Sequence, residues 1–231
     1  MTEPRKKLEK LSETAKKRCT IEYIAAVHGR RQSIDSKFLS KGLQAEEDSI
    51  TLFSRVSKIF LQKNEKTISN QYLVGTPDTY IGGESIEKAE TIVDVKTSWD
   101  IFTFYSVLNA KTNPIYYWQL QAYMVLTGAA NSILAYCLVN TPEPLILNDK
   151  IKLGYKFGID YMENPAYQFA AEQIEANAKY DDIPMQERII AIEVARDDNA
   201  IAKLYERIEM AREYMAEIHS MRQSTFNPIQ P

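Results

Sequence analysis

Apolar positions recur along this chain with two different periods. Between residues 42 and 62, Leu43, Ile50, Leu52, Phe53, Val56, Ile59 and Phe60 fall on one side of a helix at about 100° per residue. Asn64–Thr67 is polar and turn-like. Tyr72-Leu73-Val74-Gly75 reads as a strand, bent by the Thr76-Pro77 step and continued by Thr79-Tyr80-Ile81. Gly82-Gly83 marks a turn. Thr91-Ile92-Val93-Asp94-Val95-Lys96 is a second strand, residues 115–126 a helix, and Ile133–Val139 a third strand. The pattern is weakest over 141–185, where Asn164-Pro165 opens a helix to about Lys179. Arg188–Val194 is a short strand. Asp197-Asp198-Asn199 then caps a long helix whose apolar positions, from Ile201 to Ile218, form one stripe. That stripe is too short for a sustained coiled coil and fits packing on its own core. The order predicts an α/β (α+β) fold: a small mixed sheet flanked by helices.

Composition adds bounds. With 231 residues, 45% hydrophobic and 26% charged, the chain has the make-up of an ordinary globular protein. It is read as a single domain: residues 1–41 a basic helical extension, 42–140 the core, 141–220 further helices and a strand, 221–231 a frayed tail. Two cysteines, Cys19 and Cys137, are too few for a disulfide scaffold or a four-cysteine metal site. The net charge of −3 argues at first against a nucleic-acid binder, yet it hides an asymmetry. Residues 1–41 carry eleven Lys/Arg against five Asp/Glu, and the remaining 190 carry seventeen against twenty-six. The N-terminus has no apolar segment of a signal peptide. The uncharged stretch between Lys111 and Glu143 is broken by Asn113-Pro114, Gln119, Gln121 and Thr127-Gly128, which disfavours a membrane span. The expectation is a cytoplasmic protein away from membranes.

Chemistry concentrates around Gly75-Thr76-Pro77-Asp78 and Asp94-Val95-Lys96, sixteen residues on from Asp78. Side chains alternate along a strand, so Ile92, Asp94 and Lys96 share one face, and Val93 and Val95 the other. A carboxylate and an ammonium on a core strand cost stability unless they pair or bind something. A salt bridge is the bland alternative, and the pair alone does not decide. A hairpin-like connection would bring Asp78 beside Asp94, and two adjacent carboxylates call for a cation between them. Mg²⁺ or Mn²⁺ suits such oxygen ligands, with the Val95 carbonyl as a third donor. Lys96 would then lie beside the attacking water, to help deprotonate it, hold it in line, or stabilise charge on a phosphate.

This pattern resembles the PD-(D/E)xK nuclease superfamily: Pro77-Asp78 matches the PD, and Asp94-Val95-Lys96 the (D/E)xK. Two further motifs narrow the resemblance to its lambda-type phage exonuclease and RecB-like branch. Gly42-Leu43-Gln44-Ala45-Glu46 is a GxxxE, for which the resemblance implies a metal-linked Glu. Helix geometry chooses Glu46, within roughly 50° of the apolar direction, over Glu47 at about 150°. Gln119-Leu120-Gln121-Ala122-Tyr123 is a QxxxY whose ends stack one turn apart. There the resemblance implies that Gln119 orients the lysine or water and that Tyr123 approaches DNA. Asp94 stands where a Glu is commoner in that branch. No motif is matched in residues 1–41 or 141–185.

The resemblance implies a restriction-endonuclease-like core and a DNA nuclease using one or two Mg²⁺ or Mn²⁺ ions at Glu46, Asp78, Asp94 and Val95. It implies a 5′→3′ exonuclease on duplex DNA, a single-strand annealing protein as partner, and a ring-shaped, trimeric homo-oligomer. A structure-specific or single-strand endonuclease is the same-site alternative. A non-catalytic DNA-binding recombination protein is the alternative of another class, and an RNA-directed nuclease ranks last. His28 and His219 lack metal-ligand spacing and are read as surface residues. Glu84, Glu87 and Glu90 are read as solvated, and Trp99, Tyr116, Tyr117 and Trp118 as core or helix-edge aromatics. The chain has no phosphate-binding GxxxxGK[ST] loop of an ATPase.

Overall fold

The computed structural model describes residues 11–32, 37–158 and 160–224. Along them run α1 (Glu13–His28), α2 (Lys37–Gln44), α3 (Glu46–Ser57), β1 (Ile68–Ser69), β2 (Val74–Gly75), β3 (Thr79–Ile81), β4 (Thr91–Thr97), α4 (Ile101–Ser106), α5 (Pro114–Thr127), β5 (Asn131–Cys137), α6 (Glu143–Gly154), α7 (Pro165–Ala176), β6 (Ile189–Ala195) and α8 (Asp198–Ser224). Short 3₁₀ turns join several of them. The chain divides into two compact units, one built on α1 and α8 and the other on the elements between.

In the first unit, the Ser12 side chain accepts from the Ala15 N–H to start α1, and Gly29 ends it at φ 63°. Leu11, Ala15 and Cys19 pack on Met210, Ala211, Tyr214 and Met215 of α8. His219 is exposed, as expected, and its Nδ1 lies 3.0 Å from the Tyr23 hydroxyl. His28 is exposed, with Nε2 3.1 Å from Arg222.

The second unit is organised by β4. It pairs antiparallel with β3 and parallel with β5, which pairs antiparallel with β6, so the mixed sheet has the order β3-β4-β5-β6. A parallel pair needs a crossover, and α5 supplies it. The pleat sorts the two faces as the strand period requires. Val93 and Val95 pack with Ala45, Ile50, Leu52 and Phe53, while Ile92 packs with Met124 of α5. Both free cysteines are buried. Among the described residues no helix is long and apolar enough to cross a membrane.

Several boundaries differ from the sequence reading. The helix expected over 42–62 is two helices, broken at Ala45 (φ −110°, ψ 12°). The second ends where Lys58 turns left-handed at φ 60°. Leu43 and Phe60 therefore leave the apolar stripe and are 65% and 83% exposed. The expected strand Tyr72–Gly75 is only Val74–Gly75, paired with β1 in a separate two-stranded ribbon. An additional helix, α6, fills part of 141–185, and Met221–Ser224 continue α8 rather than fraying. The rest of the expected tail, 225–231, and residues 1–10 and 33–36 of the basic stretch lie outside the described residues.

Candidate active site

Asp78 is placed by contacts on both sides of it. The Asn64 N–H donates to the Asp78 carbonyl at 2.7 Å, and its side-chain amide donates to the Pro77 carbonyl at 2.8 Å. The Thr79 hydroxyl donates to the Gln62 carbonyl at 2.7 Å. Residues 62–64 thus run along the Pro77-Asp78-Thr79 backbone and fix it. Across the sheet, Asp78 Oδ2 accepts from the Val95 N–H at 2.8 Å. One hydrogen bond therefore joins the two halves of the Pro-Asp and Asp-x-Lys pattern.

Asp94 is fully buried, 0% exposed, in the middle of β4. Lys96 Nζ lies 2.6 Å from its Oδ2, yet neither carboxylate oxygen has a hydrogen-bond partner of proper alignment. Lys96 also sits over the Tyr116 ring, 5.0 Å from its centre. Glu46 is turned inward at the start of α3 while Glu47 is exposed. Its carboxylate pairs with Lys63 Nζ at 3.4 Å. Glu46, Asp78 and Lys96 share a cavity of about 470 Å³, walled on other sides by Leu39, Leu43, Trp99 and Tyr116. A second cavity of about 440 Å³, between Trp99, Ile146, Phe169 and Ile174, has Asp100 and Asp149 as its carboxylates and no lysine in its lining.

The electrostatics follow from burial. Desolvation first, then the Asp94 carboxylate, raises the Asp78 pKa to about 7. Desolvation also pushes Asp94 upward, against the pull of Lys96. For Lys96, burial pulls downward, but Asp94 and Asp78 together outweigh it and its pKa is raised. Lys96 is therefore an ammonium at neutral pH, and the carboxylates hold a shared excess of negative charge.

A buried carboxylate whose single close partner is one lysine, with Oδ1 left unpaired, is unusual unless something binds it. Two aspartates and a glutamate are hard oxygen donors of the kind Mg²⁺ and Mn²⁺ prefer. As the side chains stand, no three His, Cys, Asp or Glu side chains among the described residues form a ready metal-holding group. Glu46 rests on Lys63, and Asp94 on Lys96. The donor set fits a hard dication once those ion pairs open.

Gln119 and Tyr123 are joined to each other. The Gln119 amide donates to the Tyr123 hydroxyl at 2.9 Å, which donates to the Thr76 carbonyl at 3.3 Å. The pair buttresses the turn before Asp78. Sequence reasoning missed Lys63 and Asn64, which stood in a polar run that looks like any turn. It also missed Lys41, buried at 1% exposure, whose Nζ donates to the Trp99 carbonyl at 2.7 Å. The expected bystanders behave as such: Glu87 pairs with Lys66 and Glu84 with Lys88, both on the surface.

No family model matches the sequence, and no curated protein matches it. Solved structures do. A phage-related exonuclease from Haemophilus somnus 129PT superposes with a TM-score of 0.72 at 25% identity, covering 96% of this chain and 91% of that one. An alkaline exonuclease from Laribacter hongkongensis gives a TM-score of 0.62 at 13% identity, over 94% of this chain and 88% of its own. The structure of that exonuclease with dAMP gives 0.62 at 14% identity, over 94% and 87%. In fold the chain is thus similar to phage-related and alkaline exonucleases, which is consistent with the resemblance of its motifs to the lambda-type branch of the PD-(D/E)xK superfamily.

Proposed function

We propose that this chain is a metal-dependent deoxyribonuclease, acting as a 5′→3′ exonuclease on duplex DNA in phage-type recombination. The observation that carries the reading is Asp94: fully buried, Oδ1 left unpaired, and flanked by Lys96 and Asp78. That the structural neighbours are exonucleases supports a nuclease, the dAMP complex of one of them supports nucleic acid as substrate, and the finer assignment rests on the motif resemblance.

Glu46, Asp78 and Asp94, with the Val95 carbonyl, would hold one or two Mg²⁺ or Mn²⁺ ions. Such an ion lowers the pKa of bound water and draws charge from a phosphate oxygen. The side chains supply the rest. As an ammonium, Lys96 donates, so its role is to orient the attacking water or to take charge building on the phosphate. Gln119 has one amide N–H committed to Tyr123, and its carbonyl oxygen can accept a hydrogen bond from that water. Tyr123 would approach the DNA while holding the turn that carries Asp78. The same resemblance suggests a single-strand annealing protein as partner and a trimeric ring.

Digestion of end-labelled linear duplex, closed circular duplex and single-stranded DNA with Mg²⁺ or Mn²⁺ tests the reading. Labelled 5′ ends should be released from linear duplex alone, and Lys96→Ala should cut nothing. Cutting of the closed circle moves the assignment to an endonuclease. Activity that survives both Asp94→Ala and Lys96→Ala removes the site, and a wild type inert with both metals favours a DNA-binding protein. Light scattering separates a 26.5 kDa monomer from a trimer.

A further inference from the structure

We propose that Lys63 is a second phosphate-binding cation of this site, parked on Glu46 until a metal ion takes that carboxylate. The inference rests on the nuclease reading and extends it to a residue outside every motif of the sequence.

Three observations carry it. First, Lys63 is held in place by its neighbours. Leu61 is buried, with its N–H on the Ser54 hydroxyl at 3.0 Å, Gln62 accepts from Thr79, and Asn64 grips Pro77 and Asp78. A lysine on so constrained a backbone is delivered to the carboxylates by the same segment that positions Asp78. Second, its side chain is only 34% exposed and ends 3.4 Å from Glu46 Oε1. That contact is longer than a tight charge-assisted hydrogen bond, as suits a partner that can be exchanged. Third, with a single dication bound, three ionised carboxylates and Lys96 leave the site neutral, and the Lys63 ammonium supplies the surplus positive charge that complements one phosphodiester.

When metal occupies Glu46, the Lys63 ammonium loses its partner beside a carboxylate of a site that must hold an anion. A phosphate oxygen of the DNA strand is the group of matching charge within reach of its flexible stem. Lys63 therefore competes with the metal in the empty state and joins it in gripping phosphate in the loaded one.

The test compares full-length wild type, Lys63→Met and Lys63→Arg. Mn²⁺ titration in the absence of DNA should show several-fold tighter binding by Lys63→Met, because the competing ammonium is gone. Binding of a short duplex in Ca²⁺, followed against salt, should show a slope of log K on log[salt] smaller by about 0.9, the value for one lost phosphate contact. In Mg²⁺ turnover, KM should rise roughly ten-fold with a smaller change in kcat, and Lys63→Arg should recover most of it. A merely structural lysine would lower the melting temperature and leave Mn²⁺ affinity and salt slope at wild-type values, which overturns the proposal. Tighter Mn²⁺ binding with an unchanged slope overturns the phosphate role. A wild type that neither binds Mn²⁺ nor cleaves DNA overturns the nuclease reading itself, and the inference with it.

Discussion

The carboxylate of Asp78 accepts a hydrogen bond from the backbone N–H of Val95 at 2.8 Å. It thereby sits at the start of β3 against β4, half-buried and close to a second carboxylate. This is why its pKa is lifted from 3.8 to about 7, by desolvation first and Asp94 second. Between those values the folded state binds more protons than the unfolded one, so metal-free stability falls as pH rises from about 4 to 7 and levels above 7. Asp78→Asn should flatten that slope. At pH 7.5 in chelator it should melt a few degrees above wild type, on the order of 2–4 °C per kcal/mol for a chain of this size, while losing activity. A melting temperature of wild type that rises from pH 5 to 7, with no effect of the substitution, would count against this account of Asp78.

Metal binding should reverse the sign of that cost. A ligand at about 100 times its Kd adds about 2.7 kcal/mol, or roughly 5–10 °C here. Mn²⁺ should give such a shift in the wild type, larger at pH 7.5 than at pH 5.5 because the ionised carboxylates are the ligands. Asp94→Asn should abolish the shift, and because it takes away the partner of Lys96 Nζ at 2.6 Å the variant should melt below wild type in chelator. Differential scanning fluorimetry with and without chelator measures both.

How much of this was readable in advance varies by element. β4 was legible because Thr91–Lys96 is rich in β-branched residues with its two charged groups on one face, and the structure sorts Ile92 and Val93 to opposite faces. The break at Ala45 was not, because alanine is the best helix former and the apolar spacing runs on across it. Two-residue strands such as β1 and β2 are too short to show a period. α6 was missed because its apolar residues do not all face inward: Ile146 is buried, while Leu147 is 58% exposed. The motif residues were legible in order and spacing. Their partners were not, because Lys63 meets Glu46 and Asn64 meets Asp78 through chain reversals that leave no local pattern.

Gly75 shows a constraint of another kind. A Cβ there would lie 2.7 Å from Tyr123 Cε1 and 3.1 Å from its Cδ1. The close approach lets the Tyr123 hydroxyl reach the Thr76 carbonyl. Gly75→Ala should therefore destabilise by about 1–3 kcal/mol through overpacking and lower activity more than a surface substitution of equal cost, because the displaced turn leads into Asp78. Combining it with Tyr123→Leu should recover part of the stability and none of the activity. Strict additivity of the two substitutions in denaturant melts would mean that the contact does not matter.

Lys41 offers the sharpest separation of stability from function. Its ammonium is buried, with one carbonyl acceptor at 2.7 Å and the rings of Trp99 and Tyr180 at 5.9 and 5.6 Å from Nζ. Burial lowers its pKa to about 8, partly opposed by Asp100. Between pH 8 and 10.5 the unfolded chain holds the extra proton, so stability contributed by this group rises with pH across that window. Lys41→Met keeps the packing volume and removes the desolvated charge, whose cost offsets the loss of the one hydrogen bond to Trp99. The variant should melt at or above the wild-type temperature at pH 7 and lose the rise between pH 8 and 10. Activity should fall, because the bond to Trp99 ties α2, which leads into Glu46, to the chain leaving β4, and both border the same cavity. Melts across pH 7–10 beside DNA digestion at pH 8 decide it. A variant that is less stable at pH 7 yet fully active would show that Lys41 serves the fold alone.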